Sequence, residues 1–132
     1  MPNTPTTQKE YVIPLENRPG TLTEVTSALG KANVNILGYL LEAQGDFGVF
    51  RFTTNEPGKT ESWLKSTNRP YRANDVITVP VPNNPGELGR ITSTLAKSGV
   101  NVLGSYPSSI NNQIGLTFAV NDIATAKKVL QG

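Results

Sequence analysis

The sequence states one pattern twice, 66 positions apart. Asn17-Arg18-Pro19-Gly20-Thr21-Leu22 returns as Asn83-Asn84-Pro85-Gly86-Glu87-Leu88, and Val34-Asn35-Ile36-Leu37-Gly38 returns as Val100-Asn101-Val102-Leu103-Gly104. The offset holds without a gap from Pro14 with Pro80 to Leu64 with Leu130, and it also pairs Phe52 with Phe118 and Asn55 with Asn121. Self-similarity at a fixed period indicates one structural unit used twice. The period exceeds that of the common solenoid repeats, so each copy is expected to be a small domain. A unit of about 60–65 residues buries a modest fraction of its surface, so two should pack together or against a second chain.

Composition removes several classes of chemistry. The 132 residues include no Cys and no His, which excludes a disulfide framework, a Cys-based metal site, a thiol nucleophile and the commonest general base. Glu16, Glu42, Asp46, Glu56, Glu61, Asp75, Glu87 and Asp122 are scattered and form no recognisable catalytic or metal constellation. A net charge of +2 is too small to argue for nucleic acid or an anionic membrane. The opening residues have no apolar run of the signal-peptide kind, and no run of about 18 apolar residues exists. The expectation is a cytoplasmic protein that is not an enzyme and needs no cofactor or metal.

Residues 1–8 read as a loose polar tail. Tyr11 to Leu15 is a strand candidate in which Pro14 suggests an edge or a bulge. Leu22, Val25, Leu29 and Ala32 form the stripe of an amphipathic helix, with Asn33 as its cap. Val34 to Leu41 and Phe47 to Thr54 read as strands around a Gln44-Gly45-Asp46 turn, with Phe50 and Phe52 on one face. Pro57-Gly58 opens a second helix. The second copy follows with strands over 76–81, 100–106 and 114–120 and helices carrying Leu88, Ile91, Leu95 and Ile123 to Leu130. Residues 71–82 are long enough to hold a fourth strand of the first copy running into the first strand of the second. The expected fold is α+β, a ferredoxin-like βαββαβ sandwich repeated twice, with antiparallel sheets and helices on one face. The second copy ends after its second helix, so its last strand is expected to be missing, which leaves an edge to be covered. The division reads as a tail at 1–8, a first domain at 9–75 and a second at 76–132.

The repeated Asn-x-Pro-Gly turn leads into a helix whose first N–H groups have no partner inside it. Gly20 and Gly86 allow close backbone approach, and the helix start favours an anion such as a carboxylate. Asn17 and Asn35, repeated as Asn83 and Asn101, add amides that donate and accept. The two asparagines of a copy are expected at the same end of the sheet, where they would receive a free amino acid. The alternative is that these residues only cap and turn the chain.

Leu15 to Thr23 followed by Ala32 to Ile36 resembles an ACT domain, most closely the serine-binding regulatory domain of phosphoglycerate dehydrogenase. Val81 to Leu88 with Gly99 to Val102 resembles a second. The resemblance implies amino-acid binding at the interface between two modules, as an allosteric effector site, in a homodimer or with a metabolic enzyme as partner. It implies ligand contacts at Asn17, Arg18, Pro19, Gly20, Thr21, Leu22, Asn35 and Ile36, and by repeat at Asn83, Asn84, Pro85, Gly86, Glu87, Leu88, Asn101 and Val102. The family's histidine two residues before the first asparagine falls on Leu15 and Val81, where an apolar residue either suits an aliphatic or aromatic ligand better than serine or faces the core. Arg18 would attract an anion where Asn84 would not, and Glu87 would compete with one, so the first copy is expected to hold the ligand more strongly.

Two other readings remain. The missing strand suits an interaction module that dimerises without a ligand. A ferredoxin-like sheet carrying Phe50, Phe52 and Phe118 also suits RNA binding, although these rings are expected in the core.

Overall fold

The computed structural model describes residues 4–131. In chain order the elements are β1 (Thr6–Glu16), α1 (Thr21–Lys31), β2 (Ile36–Gln44), β3 (Phe47–Thr54), α2 (Pro57–Ser66), β4 (Arg72–Pro80), α3 (Glu87–Lys97), β5 (Val102–Ile110), β6 (Gln113–Val120) and α4 (Ile123–Leu130). Among the described residues, four helices and six strands make an α+β arrangement, with the order β-α-β-β-α expected for each copy. Among the described residues, no helix is long and apolar enough to cross a membrane.

Two compact units divide the chain. One is residues 9–74 and carries the first copy; the other is residues 75–131 together with residues 4–8. The boundaries fall inside β1 and β4, so each of these two strands has residues in both units. The expected loose tail is corrected here. From Thr6 onward it is strand, and residues 4–8 group with the second copy. Residues 1–3 of that expectation lie outside the described residues. The strand was missed because Thr6 to Lys9 lack alternating apolar residues. No strand follows α4 among the described residues.

In the first unit, β3 pairs antiparallel with β1 and with β2. Tyr11, Ile13 and Leu15 stand opposite Phe52, Phe50 and Gly48, so they share one sheet face. Val25 and Leu29 of α1 and Leu64 of α2 complete a core with Tyr11, Ile13, Leu15, Phe50 and Phe52. The two phenylalanine rings stack with centroids 4.8 Å apart. Both are buried beneath the helices. The second unit repeats the arrangement, β6 pairing with β4 and β5 over Ile77, Val79, Ile91, Leu95 and Phe118.

The register of β1 against β3 runs unbroken through Pro14, so of the two expectations, an edge or a bulge, no bulge forms against β3. Asn17 N–H donates to the Asp46 carbonyl, which fixes the hydrogen-bonded pairs and puts Pro14 opposite Val49 at a pair that exchanges no bonds. No bond to β3 is lost by the missing N–H.

Both helix ends explain the repeated residues. Thr21 N–H meets the Arg18 carbonyl at 3.4 Å across Pro19-Gly20, and Glu87 N–H meets that of Asn84 at 3.5 Å. Gly20 and Gly86 have φ of 92° and 90°. Pro followed by a positive-φ Gly is the type II turn, which accounts for the conserved spacing within the chain. At the other end, Val34 N–H donates to Leu29 and Asn33 N–H to Gly30, with Asn33 at φ 63°. Val100, Leu95, Gly99 and Ala96 repeat this Schellman ending. Asn33 therefore lies one residue beyond the cap Ala32, and the following strand starts at Ile36.

Candidate functional site

The Asn17–Leu22 turn and the β2–β3 hairpin enclose a cavity of about 130 Å³ in the first unit. The turn contributes Asn17, Arg18, Gly20, Thr21 and Leu22, with Leu15 and Glu16 leading into it. The hairpin contributes Leu41, Ala43 and Gly48. These three share the helix-facing side of the sheet with Leu15, because Ala43 and Leu15 both stand opposite Gly48. Leu15, where the family's histidine would fall, is 4% exposed and belongs to the core while reaching the cavity.

Each polar group at the mouth has a defined job. Asn17 Nδ2 donates to the Gly45 carbonyl at 2.8 Å, and its backbone N–H to Asp46 at 2.8 Å, which ties the turn to the hairpin. The Asn17 side-chain oxygen remains as an acceptor. Thr21 Oγ1 donates to the Glu16 carbonyl at 2.8 Å, so that hydroxyl holds the turn. Arg18 Nε lies 2.9 Å from Glu16, and Arg18 Nη2 lies 3.5 Å from Glu24. Those carboxylates, Glu16 first, hold the guanidinium pKa above its ordinary value. The Arg18 charge is thus already matched, which weakens the expected electrostatic advantage of the first copy. In α1 the first internal bond is Glu24 N–H to Gly20, leaving the N–H groups of Leu22 and Thr23 without a carbonyl four residues back.

Asn35 is not part of this cavity. Its N–H donates to Asn55 Oδ1 at 2.9 Å, and Asn55 N–H returns to the Asn35 carbonyl at 3.1 Å. That places Asn35 and Ile36 beside the end of β3, whereas Asn17 lies beside its start. Asp46 and Asn55, to which Asn17 and Asn35 are bonded, flank the strand and lie about 30 Å apart at 3.3 Å per residue. The expectation of one shared end is corrected. Strand β1 runs one way, α1 returns, and β2 therefore begins at the far end.

In the second unit, the turn from Asn83 to Leu88 has the same backbone but different side-chain partners. Pro85 and Gly86 make the type II turn, Asn84 N–H donates to Pro82, and Glu87 pairs with Arg90 at 2.8 Å. No hydrogen bond corresponding to Asn17–Gly45 forms from the Asn83 side chain among the described residues. Asn101 and Val102 lie at the far end of β6, with Asn121 repeating both bonds of Asn55. Leu41, Ala43, Gly48, Gly45 and Asp46 were not singled out as site residues from the sequence. Only the Gln44-Gly45-Asp46 turn signal pointed to them.

Among the described residues, no cluster of three or more acidic side chains is placed to hold a metal ion. What the arrangement provides is a small recess with an apolar floor and a mouth of backbone donors and amide acceptors.

Turn, hairpin and duplicated sheet define a paired α+β module of the ferredoxin-like kind. The ACT domain pair family matches residues 6–131, and the chain belongs to that family. Among solved structures it is similar to protein BT0572 from Bacteroides thetaiotaomicron, with 29% identity, a TM-score of 0.83, and coverage of 98% of this chain and 89% of that one. The regulatory subunit of aspartate kinase from Thermus thermophilus shares the fold at 11% identity and a TM-score of 0.67, covering 96% of this chain and 93% of that one. The corresponding subunit from Thermus flavus does so at 11% identity and 0.61, covering 98% and 93%. No curated protein sequence matches the chain.

Proposed function

We propose that this protein binds a free amino acid and converts occupancy into a change of assembly or of affinity for a partner enzyme. The observation that carries this reading is the cavity between the Asn17–Leu22 turn and the hairpin, with its apolar floor. An amino acid would lay its side chain on Leu15, Leu41 and Ala43. Its ammonium would meet the Asn17 side-chain oxygen, and its carboxylate the N–H groups at the start of α1. Membership of the ACT pair family supports the ligand class. Fold neighbours that are regulatory subunits of aspartate kinase support a regulatory role.

Because Asn17 and Asn35 stand at opposite ends of their sheet, a ligand using an asparagine of each kind must be shared between two modules. A homodimer supplies such modules, and residues 6–8, which group with the second unit, would stand in for the strand not found after α4 among the described residues. The ligand acts as a switch only if it binds one arrangement better than another.

A ligand-free dimerisation module is the second reading. It is favoured by Leu40, Phe47 and Val49, which are 39%, 61% and 46% exposed. The registers put them on the sheet face away from the helices. Thermal unfolding against each of the twenty amino acids separates the two. A ligand at about 100 times its Kd stabilises by about 2.7 kcal/mol. A shift from none of them rejects amino-acid binding, and a concentration-dependent mass in sedimentation would then leave the dimerisation reading.

A further inference from the structure

The two copies differ at a position that lines the space between the turn and the hairpin. Gly48 stands between Leu15 and Ala43, and a Cβ added there would meet Ala43 Cβ and the Glu42 carbonyl, both at 3.2 Å. Gly48 lines the cavity, so a side chain there would crowd its hairpin side. In the second copy the same place is held by Ile114, which accepts the N–H of Val81 at 3.0 Å on one side and stands opposite Ser109 on the other. Its side chain therefore rises on the face that forms the cavity floor in the first copy.

The consequence shows in what lies around Ile114. An open depression of about 570 Å³ is lined by Pro107, Ser108, Ser109, Asn112, Gln113 and Ile114, but by none of residues 82–88. Pro107 and Ser109 are the counterparts of Leu41 and Ala43. The hairpin half of the first-copy cavity is present there without the turn half. Leu88 is 52% exposed, whereas its counterpart Leu22 packs against the first core. The hydrogen bond that ties Asn17 to the hairpin also has no equivalent at Asn83.

We infer that only the first copy receives the ligand's side chain, so that each chain binds one amino acid, and that Gly48 selects an aliphatic side chain of valine to leucine size. The inference rests on the amino-acid reading above and narrows it. The floor is hydrocarbon, from Leu15, Leu41 and Ala43, and presents no side-chain hydrogen-bonding group to a serine hydroxyl. A cavity of about 150 Å³ accommodates benzene. At about 130 Å³ this one fits a branched chain of three or four carbons. Filling or emptying a methylene-sized space in such a pocket changes affinity by about 10-fold to 200-fold.

Titration calorimetry on the full chain tests this with L-valine, L-leucine, L-isoleucine and L-serine against wild type, Gly48→Ala and Ile114→Gly. Each variant is first checked by its thermal unfolding. The expected results are one site per wild-type chain and an aliphatic preference over serine of about tenfold or more. Gly48→Ala should lose affinity by a similar factor, and Ile114→Gly should acquire a second site. Two equal sites in wild type, or serine binding as tightly as leucine, overturns the inference while leaving the amino-acid reading intact. A folded Gly48→Ala with unchanged affinity, or a folded Ile114→Gly that still binds one ligand, overturns it equally. No binding of any of the four by wild type overturns the inference. No response to the full set of twenty removes the amino-acid reading beneath it.

Discussion

Asn55 accepts the backbone N–H of Asn35 on its side-chain oxygen at 2.9 Å and gives its own N–H to the Asn35 carbonyl at 3.1 Å. Asn121 and Asn101 repeat both bonds at the same distances. The pair pins the start of β2 to the end of β3, and its copy pins β5 to β6. Truncating Asn55 to alanine removes one of the two bonds and leaves the other. Because the site is exposed and water can replace the lost acceptor, the cost should be about 1 kcal/mol. Asn121→Ala should cost the same, with the two effects adding, as urea unfolding of the single and double variants would show.

Glu10 is fully buried, with Arg51 Nη1 and Asn74 Nδ2 each 3.1 Å from its Oε1. Arg51→Met should cost about 3 kcal/mol, since it takes the guanidinium away from a buried carboxylate. Adding Glu10→Gln to that variant should recover part of the loss by removing the charge. Chemical denaturation of both measures the difference, and no recovery would show that packing of Arg51, not charge, is responsible.

Substituting alanine for glycine should act in opposite directions at two positions ten residues apart. Gly20 sits at φ 92° with open space around its Cβ position, so Gly20→Ala bears backbone strain alone, about 1–2 kcal/mol. Gly30 lies inside α1 and has no neighbour within 4 Å of that position. Gly30→Ala should therefore stabilise by up to about 1 kcal/mol through helix propensity. Thermal melts of the two variants should move to opposite sides of the wild type.

Tyr11 is buried, and its hydroxyl donates to the Pro57 carbonyl and to Glu61. Burial first, and then the Glu61 carboxylate, push its pKa up from 10 to about 12. The folded state thus holds the phenol proton more tightly than the unfolded state does. Stability from this group is complete below about pH 10 and is lost as pH rises through about 12. A Tm profile from pH 8 to 12.5 should fall in that window, and Tyr11→Phe should flatten the part due to this residue while lowering the plateau.

The repeat made the module legible because its strongest signals are backbone requirements. The Pro-Gly turns at 19–20 and 85–86 and the Schellman endings at Asn33 and Gly99 need particular residues, so they return in both copies. The alternation of Phe50 and Phe52 with Val49 and Arg51 likewise gave the sheet face directly. The cavity was less legible for the converse reason. Its floor comes from Leu41, Ala43 and Gly48, whose counterparts Pro107, Ser109 and Ile114 share no chemistry with them. A search for what the copies hold in common passes over the residues by which they differ. The position of Asn35 was misjudged through chain direction, since an antiparallel helix returns the backbone to the end where β1 began. The start of β1 was hidden by a polar run that carries no periodicity.

The union of residues 4–8 with residues 75–131 has a consequence for synthesis. A growing chain has made all of its first unit by residue 74, yet the segment preceding that unit must wait for a body that does not yet exist. Residues 4–8 therefore mature together with a segment made only after residue 74. The duplication is consecutive along the chain but interleaved in the protein, so a cut at the repeat boundary yields two fragments of which neither is one of the units.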